Sequence, residues 1–269
     1  MHTTKTTLIL GGTGKTGGRV AKRLRERGVP VRIGSRSGAP PFDWSRPETW
    51  DAALDSVDSV YLAYYPDLAD PEAEAHVGAF AARASALGVK RIVLLSGRGE
   101  PQVLPSEEAV RSSGVELTIL RAAWFSQNFS EGLLADAINA GELAFPAGDV
   151  AEPFIDVEDI ADVAVIALTE RGHEGKIYEL TGPRLVTFAE AVAEIGRASD
   201  RVVRYVPVTQ DAYAQALSSH VPQEVATFLA QLFGFLLDGH NAHVTDGIER
   251  VLGRRPRDFR EYACAAFGP

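Results

Sequence analysis

A short apolar stretch near the amino terminus runs into a glycine-rich turn and then directly into an amphipathic helical pattern. The apolar stretch covers residues 8–10, the turn covers residues 11–17, and the helical pattern stops at Gly28. In this context glycines let backbone amides close around a pyrophosphate at the amino end of the helix. The chain is therefore predicted to begin with a βαβ unit that binds a dinucleotide.

The glycines fit two dinucleotide spacings. G-x-G-x-x-G begins at Gly12, G-x-x-G-x-x-G begins at Gly11, and both end at Gly17. The Gly-Lys-Thr sequence at residues 14–16 also resembles the end of an ATP-type phosphate loop, but that motif needs a glycine where this chain has Ile9. An ordinary glycine-rich turn is the plain alternative. Both dinucleotide spacings stay open.

The second strand indicates which dinucleotide is bound. NAD-specific folds place a carboxylate about 20 residues after the glycines to hold the ribose 2′-hydroxyl. This chain has no carboxylate between Arg27 and Phe42, and its second strand ends at Ser35 and Arg36. A hydroxyl and a guanidinium suit a 2′-phosphate, which favours NADP(H) over a merely solvated arginine.

Composition limits the partners. Of 269 residues, 45% are hydrophobic and 23% are charged, which is typical of a globular chain. The net charge of −9 argues against nucleic acid and anionic membranes as partners. The single cysteine, Cys264, excludes an internal disulfide and is expected in a helix core. A cytoplasmic location is expected, because the chain shows no secretory leader and no span long enough for a bilayer.

Strand and helix patterns alternate, which predicts an α/β fold: a Rossmann-type doubly wound parallel sheet with a smaller, mostly helical C-terminal substrate lobe. The NADP-binding domain is assigned to 1–150, with 156–182 returning to the sheet, and the lobe to 183–269. Predicted strands cover 6–10, 31–35, 59–63, 91–96, 116–121, 154–155, 176–180 and 203–206. Predicted helices cover 15–27, 47–54, 70–87, 105–113, 124–140, 157–170 and 187–199.

One helical pattern in the predicted lobe, at residues 225–237, is apolar nearly all round. Such a helix is usually buried. Its side chains are expected in the core of the lobe or at a homodimer contact. The alternative is that some of them roof an apolar substrate pocket.

A whole-chain resemblance rests on the order and spacing of many segments. They are 11–17, 35–37, 42–44, 50–54, 57–62, 91–96, 113–121, 124–129, 153–161, 178–183 and 252–256. On these segments the chain resembles the atypical short-chain dehydrogenases of the NmrA-like group. Within that group it is similar to the branch of the agroclavine dehydrogenases and their bacterial relatives.

The resemblance implies a map of NADP(H) contacts. The pyrophosphate would lie on Gly11, Gly12, Thr13, Gly14, Lys15, Thr16 and Gly17. The 2′-phosphate would lie on Ser35 and Arg36, and the adenine beside Asp43 and Trp44. The nicotinamide half would lie near Ala63, Tyr64, Tyr65 and Ser96. The plain alternatives are a helix cap for Asp43, core packing for Trp44 and a turn for Ser96.

The acceptor side of the expected site is less specific. Trp124, Phe125, Gln127 and Asn128 follow a predicted strand end and, with Tyr65, are expected to line the substrate site. Plain packing is an equal alternative for the four residues that follow the strand. The acids at 156–159 begin a predicted helix and are better explained by capping. No metal site is expected, because the histidines at 240 and 243 have no third ligand in pattern.

Ordinary short-chain dehydrogenases use Tyr-x-x-x-Lys to move the substrate proton. None of the seven tyrosines here has a lysine four positions later, and residues 106–111 stand where the pair would lie. No catalytic residue is assigned. The chemistry that remains needs mainly proximity and orientation, as in hydride transfer to an imine, iminium or quinone; the resemblance points to an iminium. The alternative is a non-catalytic regulator that senses NADP(H), as some NmrA-like proteins do.

Overall fold

The computed structural model describes residues 6–132, 134–219 and 221–269, which form two compact units. Unit 1 contains the described residues up to Ala122, together with Val157–Leu180 and Gly247–Arg254. Unit 2 contains Ala123–Asp156, Thr181–Asp246 and Arg255–Pro269. These bounds differ from the predicted domains, because the segment from 123 to 150 joins unit 2. Its Phe129 and Phe145 lie in one hydrophobic cluster with Phe188.

The secondary structure follows the predicted alternation through the first half of the chain. The strands are β1 (Thr6–Leu10), β2 (Val31–Gly34), β3 (Val57–Leu62), β4 (Arg91–Gly97), β5 (Glu116–Ala122), β6 (Glu142–Phe145), β7 (Ala151–Glu152), β8 (Ile177–Leu180), β9 (Val186–Thr187) and β10 (Arg204–Pro207). The helices are α1 (Lys15–Glu26), α2 (Trp50–Leu54), α3 (Ala73–Ala86), α4 (Leu104–Arg111), α5 (Ala135–Ala140), α6 (Val157–Thr169), α7 (Phe188–Ala198), α8 (Gln210–Leu217), α9 (Gln223–Leu236), α10 (Gly247–Leu252) and α11 (Phe259–Phe267).

Unit 1 is built on a six-stranded parallel sheet in the order β2-β1-β3-β4-β5-β8. The strands are short and apolar, and β1 and β3 are almost entirely buried, as a sheet covered on both faces requires. The chain runs from β1 outward to β2 and then crosses to β3 on the other side of β1. This reversal is the switch point at which doubly wound sheets bind ligands. The predicted Rossmann-type sheet is confirmed.

Helices α1, α6 and α10 are tied together inside unit 1 by ion pairs. Arg23 bonds to Glu158 and, at 2.6 Å, to Asp162. Arg254 reaches both Asp162 and the fully buried Asp159, each at 2.7 Å. Glu158 and Asp159 are therefore paired with arginines. The capping expected of the acids at 156–159 stays a prediction.

Unit 2 has two small sheets, β6–β10 and β7–β9, and an aromatic core. The predicted helix at 124–140 is wrong over most of its length, and residue 133 lies outside the described residues. The Ser126 amide donates to the Ile155 carbonyl at 2.8 Å, and the Ile155 amide donates to the Trp124 carbonyl at 3.0 Å. Because Phe125 forms a parallel bridge with Ile155, residues 124 and 125 are not helical. A 3-10 turn at Ser126–Phe129 and then α5 follow.

Two expectations about burial in unit 2 are also corrected. Helix α9 buries Ala226, Ala230 and Phe233, but Phe228 on its other face is 62% exposed. The helix is therefore not buried all round, and the homodimer contact stays a prediction. Cys264 is exposed, because α11 turns Phe259, Tyr262 and Ala263 inward instead.

Within residues 6–132, 134–219 and 221–269, no helix combines the length and the apolar character needed to cross a bilayer.

Candidate functional site

The loop between β1 and α1, residues 11–17, is called the glycine loop below. Gly11 has φ +75°, and a Cβ there would lie 2.9 Å from the Ala63 carbonyl oxygen. A Cβ on Gly17 would overlap the Gly11 carbonyl, and one on Gly12 would lie 2.8 Å from the Ile33 side chain. Three of the four loop glycines are thus required by the protein's own packing.

Gly14 is different, because it is exposed and its nearest neighbour, the Gly11 carbonyl oxygen, would be 3.3 Å from an added Cβ. In dinucleotide loops the first glycine makes the turn, the second admits the pyrophosphate and the third packs the helix on the strand. Gly11, Gly14 and Gly17 match these three needs. The geometry therefore favours the wider of the two spacings, with Gly12 fitted against β2.

The amino end of α1 is open to an anion. Its N-cap residue, Gly14, offers no side-chain acceptor, and the first turn carries no acid. Uncapped amides and the helix dipole attract phosphate. Thr13 is exposed and Lys15 is half-buried beside these amides. The Thr16 side chain is buried, which leaves the backbone amide of Thr16 for this contact.

The buried Thr16 side chain faces Tyr61 of β3. The two hydroxyls are close but make no hydrogen bond of acceptable geometry. Burial raises the pKa of Tyr61 above its ordinary value, and the nearby Thr16 offsets only part of that rise. The backbone amide of Thr16, rather than its hydroxyl, is the group available to a phosphate.

Ser35 and Arg36 follow β2, where the chain reverses. The Ser35 carbonyl accepts hydrogen bonds from the amides of Gly38 at 3.0 Å and Phe42 at 2.9 Å. Arg36 is exposed and lies near enough to Asp43 to act on it. Hydrogen bonds from Ser45 lower the pKa of Asp43 most, and the charge of Arg36 adds to that effect.

The two residues expected beside the adenine also carry structural contacts. The Asp43 Oδ1 atom accepts from the Ser45 amide at 3.1 Å and from the Ser45 hydroxyl at 2.9 Å. Its Oδ2 atom accepts no hydrogen bond from the residues that the structure describes, so it is available to an exocyclic amine. Trp44 is half-buried and packs edge-on against Phe42 and Phe80, with ring centroids 4.9 Å and 5.4 Å away.

Ala63, Tyr64 and Tyr65 follow β3 at the switch point. The Tyr64 ring lies 5.0 Å from that of Trp44, and its hydroxyl is 2.7 Å from His76 Nδ1. Burial, with the charges of nearby acids, raises the pKa of Tyr64. Tyr65 is 76% exposed. His76 was not predicted, because nothing in its local sequence indicates that α3 presents it to Tyr64.

Ser96, expected near the nicotinamide ribose, is buried and bound within the protein. Its hydroxyl donates to Glu107 Oε1 at 2.6 Å, and Arg121 holds both oxygens of that carboxylate through Nε at 3.0 Å and Nη2 at 2.6 Å. These three residues are called the Glu107 network. Glu107 shares the buried face of α4 with Val110 and lies four residues after the buried Val103. That spacing is the sequence signal that could have revealed it.

A second arginine is buried next to this network. Arg98 follows β4, its side chain is almost fully buried, and its Nε atom lies 3.2 Å from Glu179 Oε2 on β8. Its amide donates to the Ala122 carbonyl at 3.1 Å. Sequence reasoning did not single out Arg98, because a lone arginine after a strand is indistinguishable from a solvated one.

Four of the five residues expected to contact substrate, all except Tyr65, belong to unit 2. Trp124 packs against Phe188 and Phe233 with ring centroids 5.8 Å and 5.6 Å away. Its Nε1 atom is buried and has no hydrogen-bond partner in the described part of the chain. Gln127 is buried and donates to Asp156 at 2.7 Å, whereas Phe125 and Asn128 are half-buried.

No group of three metal-ligating side chains is present in the described ranges. His240 is bonded to Asp238 two residues earlier.

Comparisons with known proteins identify the family. Residues 105–263 match the model described as the NmrA-like family. An NAD(P)H azoreductase of Xenophilus azovorans is 32% identical over 97% of this chain and 99% of its own. An agroclavine dehydrogenase of Claviceps fusiformis is 32% identical over 96% of each chain.

Among solved structures, the NADPH-dependent quinone oxidoreductase QOR2 of Escherichia coli, complexed with NADPH, matches with a TM-score of 0.82. The match covers 97% of this chain and 100% of that chain at 23% identity, so what the two share is the fold. Together with the family match and the two relatives, it leads to one conclusion: the chain belongs to the NmrA-like family.

Proposed function

We propose that this protein is an NADPH-dependent reductase that passes a hydride to a small, preactivated acceptor of the imine, iminium or quinone type. The observation that carries the proposal is the open amino end of α1 beside the exposed Gly14, followed at the end of β2 by Arg36 without a carboxylate. Two relatives, an NAD(P)H azoreductase and an agroclavine dehydrogenase, support it.

The cofactor is NADP(H), held by the residues at the carboxyl edge of unit 1, and it supplies the hydride when bound. The glycine loop binds the pyrophosphate through backbone amides, Ser35 and Arg36 bind the 2′-phosphate, and Asp43 and Trp44 bind the adenine. Ala63, Tyr64 and Tyr65 line the nicotinamide half. Ser96 contributes by position, since its hydroxyl proton is already used by Glu107.

The acceptor class is inferred from Glu107, a residue of α4. Where ordinary short-chain dehydrogenases place their proton-donating pair, this chain places Glu107, buried and bonded to Arg121 and Ser96. Both oxygens of Glu107 already accept hydrogen bonds from Ser96 and Arg121, so neither oxygen is placed to serve a substrate alkoxide. An iminium becomes a neutral amine on taking hydride, and a reduced quinone can be protonated by solvent. Such acceptors need orientation more than acid catalysis.

The test is NADPH consumption against a panel of cyclic imines, iminium ions, quinones and simple ketones, after subtraction of the protein-free rate. Turnover of imines, iminium ions or quinones supports the proposal, whereas turnover of simple ketones alone contradicts it. If no acceptor is turned over and a partner protein binds only when NADP(H) is present, the non-catalytic regulator replaces the reductase.

Trp124 provides a test of the substrate-binding residues. We expect Trp124→Phe to lower kcat/KM for the preferred acceptor by roughly 10-fold, because it removes one ring of the indole that is expected to line the acceptor site. The dissociation constant of NADPH should change little. Phe228→Leu, on the exposed face of α9, is the control. An equal loss of NADPH affinity in Trp124→Phe would remove Trp124 from the acceptor site.

A further inference from the structure

The Glu107 network lies across neighbouring strands of the unit 1 sheet. Register pairs Ser96 of β4 with Arg121 of β5, and Arg121 with Glu179 of β8. Ser96 and Arg121 each stand one residue before the end of their strands. The network therefore sits at the carboxyl edge, the edge at which doubly wound sheets bind ligands.

Its place along that edge is also informative. The glycine loop and the end of β2 serve one half of a dinucleotide, and the strands beyond the switch point serve the other half. Strands β4 and β5 lie beyond β3 on that second side. If the proposed function holds, the nicotinamide and the acceptor are bound on the side that carries Arg121.

Arg121 has donors to spare. A guanidinium carries five N–H donors and no acceptor. Its Nε and Nη2 atoms are used by Glu107, while Nη1 makes no hydrogen bond with any residue that the structure describes. The side chain keeps 23% of its surface exposed, although its carboxylate partner is buried. Glu107 thus holds Arg121 along one edge, and part of the Arg121 side chain remains exposed.

The Glu107 carboxylate holds the Arg121 guanidinium in one orientation. The hydrogen bonds that Arg121 donates to Glu107 raise the pKa of Arg121, and burial offsets only part of that rise. A bidentate guanidinium–carboxylate pair also fixes the plane of the group. A preoriented donor of this kind stabilises charge that develops on a bound ligand without having to reorganise.

We propose that Arg121 donates a hydrogen bond from Nη1 to the acceptor oxygen on which negative charge develops, which makes quinones the favoured acceptor class of this site. This inference rests on the proposed function. A quinone takes two electrons and one hydrogen as hydride, becomes a hydroquinone monoanion, and then takes one proton from water. NADPH is oxidised to NADP⁺ in the same step. An iminium nitrogen has no lone pair and gains nothing from an N–H donor.

The variants must distinguish loss of the Arg121 donor from loss of protein stability. Arg121→Met alone would leave Glu107 buried without its partner and endanger folding. The informative pair is therefore Glu107→Gln against the double variant Glu107→Gln with Arg121→Met, since neither leaves a buried carboxylate. Arg91→Met is the matched control, because Arg91 binds carbonyls and acids from the opposite end of β4.

Two measurements are compared on these proteins. The first is kcat/KM with NADPH for 1,4-naphthoquinone and for a cyclic iminium ion. The second needs no turnover: it is the dissociation constant of 2-hydroxy-1,4-naphthoquinone, an oxygen-anion probe, in the NADP⁺-loaded protein, followed by tryptophan fluorescence.

We expect the double variant to lose about 10-fold or more in quinone kcat/KM and in probe affinity relative to Glu107→Gln, while iminium turnover changes little. Equal losses for quinone and iminium, or unchanged probe binding, would overturn the assignment of Arg121. If the unmutated protein consumes no NADPH with either acceptor, the proposed function fails, and probe binding alone decides whether Arg121 contacts an oxygen anion.

Discussion

At the carboxyl ends of β1 and β2, the sheet edge of unit 1 exposes backbone groups, whereas at the ends of β4 and β5 it buries charged side chains. The first region rests on glycines and the uncapped start of α1. The second rests on Glu107, which Ser96 and Arg121 hold from two strands. A bulky side chain should therefore impair the first region, and removal of a charged side chain should impair the second.

The largest expected effect belongs to the backbone-built region. Gly14→Val should lower NADPH affinity by more than about 3 kcal/mol, because the side chain takes the space above amides that would each bind a phosphate oxygen. The melting temperature should change little, since the site is exposed. Gly18→Ala, in the same helix and with ordinary contacts, is the control. The affinity is measured by fluorescence titration with NADPH. Unchanged affinity in Gly14→Val would contradict the placement of the pyrophosphate on these backbone amides.

The next effect belongs to the side-chain-built region and concerns folding. Glu107→Leu should lower the free energy of unfolding by about 3 kcal/mol, because it leaves the Arg121 guanidinium and the Ser96 hydroxyl without their acceptor. Glu108→Leu changes the exposed neighbouring acid and should change stability little. Urea unfolding distinguishes the two. If both variants lose the same free energy of unfolding, the Glu107 network contributes no more to stability than an exposed acid does.

Arg36 is a charged side chain within the backbone-built region, so its removal tests whether charge also contributes to cofactor binding there. Arg36→Ala should remove about 2 kcal/mol of the preference for NADPH over NADH, as expected for one charge-assisted contact to the 2′-phosphate. Arg46→Ala, an exposed arginine paired with Glu48, is the control. Equal affinities for both cofactors in the unmutated protein would contradict the assignment before any variant is made.

The smallest effect is expected at Lys15. Lys15→Ala should weaken NADPH binding by about 1 kcal/mol, because the amides and the helix dipole remain in place. Lys22→Ala, on the exposed side of α1, is the control. If Lys15→Ala abolishes nucleotide binding and the unmutated protein binds magnesium ATP tightly, the loop is an ATP-type phosphate loop.

The backbone-built region could be predicted from the sequence because its determinants are local. Apolar β1, the glycine spacing and the residue types after β2 lie within about 30 consecutive positions, the usual length of one βαβ unit. Only the choice between two glycine spacings needed the structure. That choice depends on how closely Gly17 approaches the Gly11 carbonyl and Gly12 approaches Ile33.

In the side-chain-built region only Ser96 was predicted from the sequence, because the tertiary fold brings Glu107 and Arg121 to it. Ser96, Glu107 and Arg121 belong to three elements, and neither a strand-end arginine nor a helical glutamate indicates burial by itself. The same reason explains the failed helix at 124–140. Its helical propensity was real, but the backbone of residues 124–126 pairs with Ile155, and this tertiary contact overrides local preference.

The most direct test of the central claim, that this chain is an NADPH-dependent reductase, is a crystal structure of the protein with NADP⁺ bound. We expect the pyrophosphate over Gly14 at the amino end of α1, the 2′-phosphate on Ser35 and Arg36, and open space for an acceptor at nicotinamide C4 within reach of Arg121. A cofactor bound with C4 covered by protein, or a nucleotide bound away from the glycine loop, would contradict it.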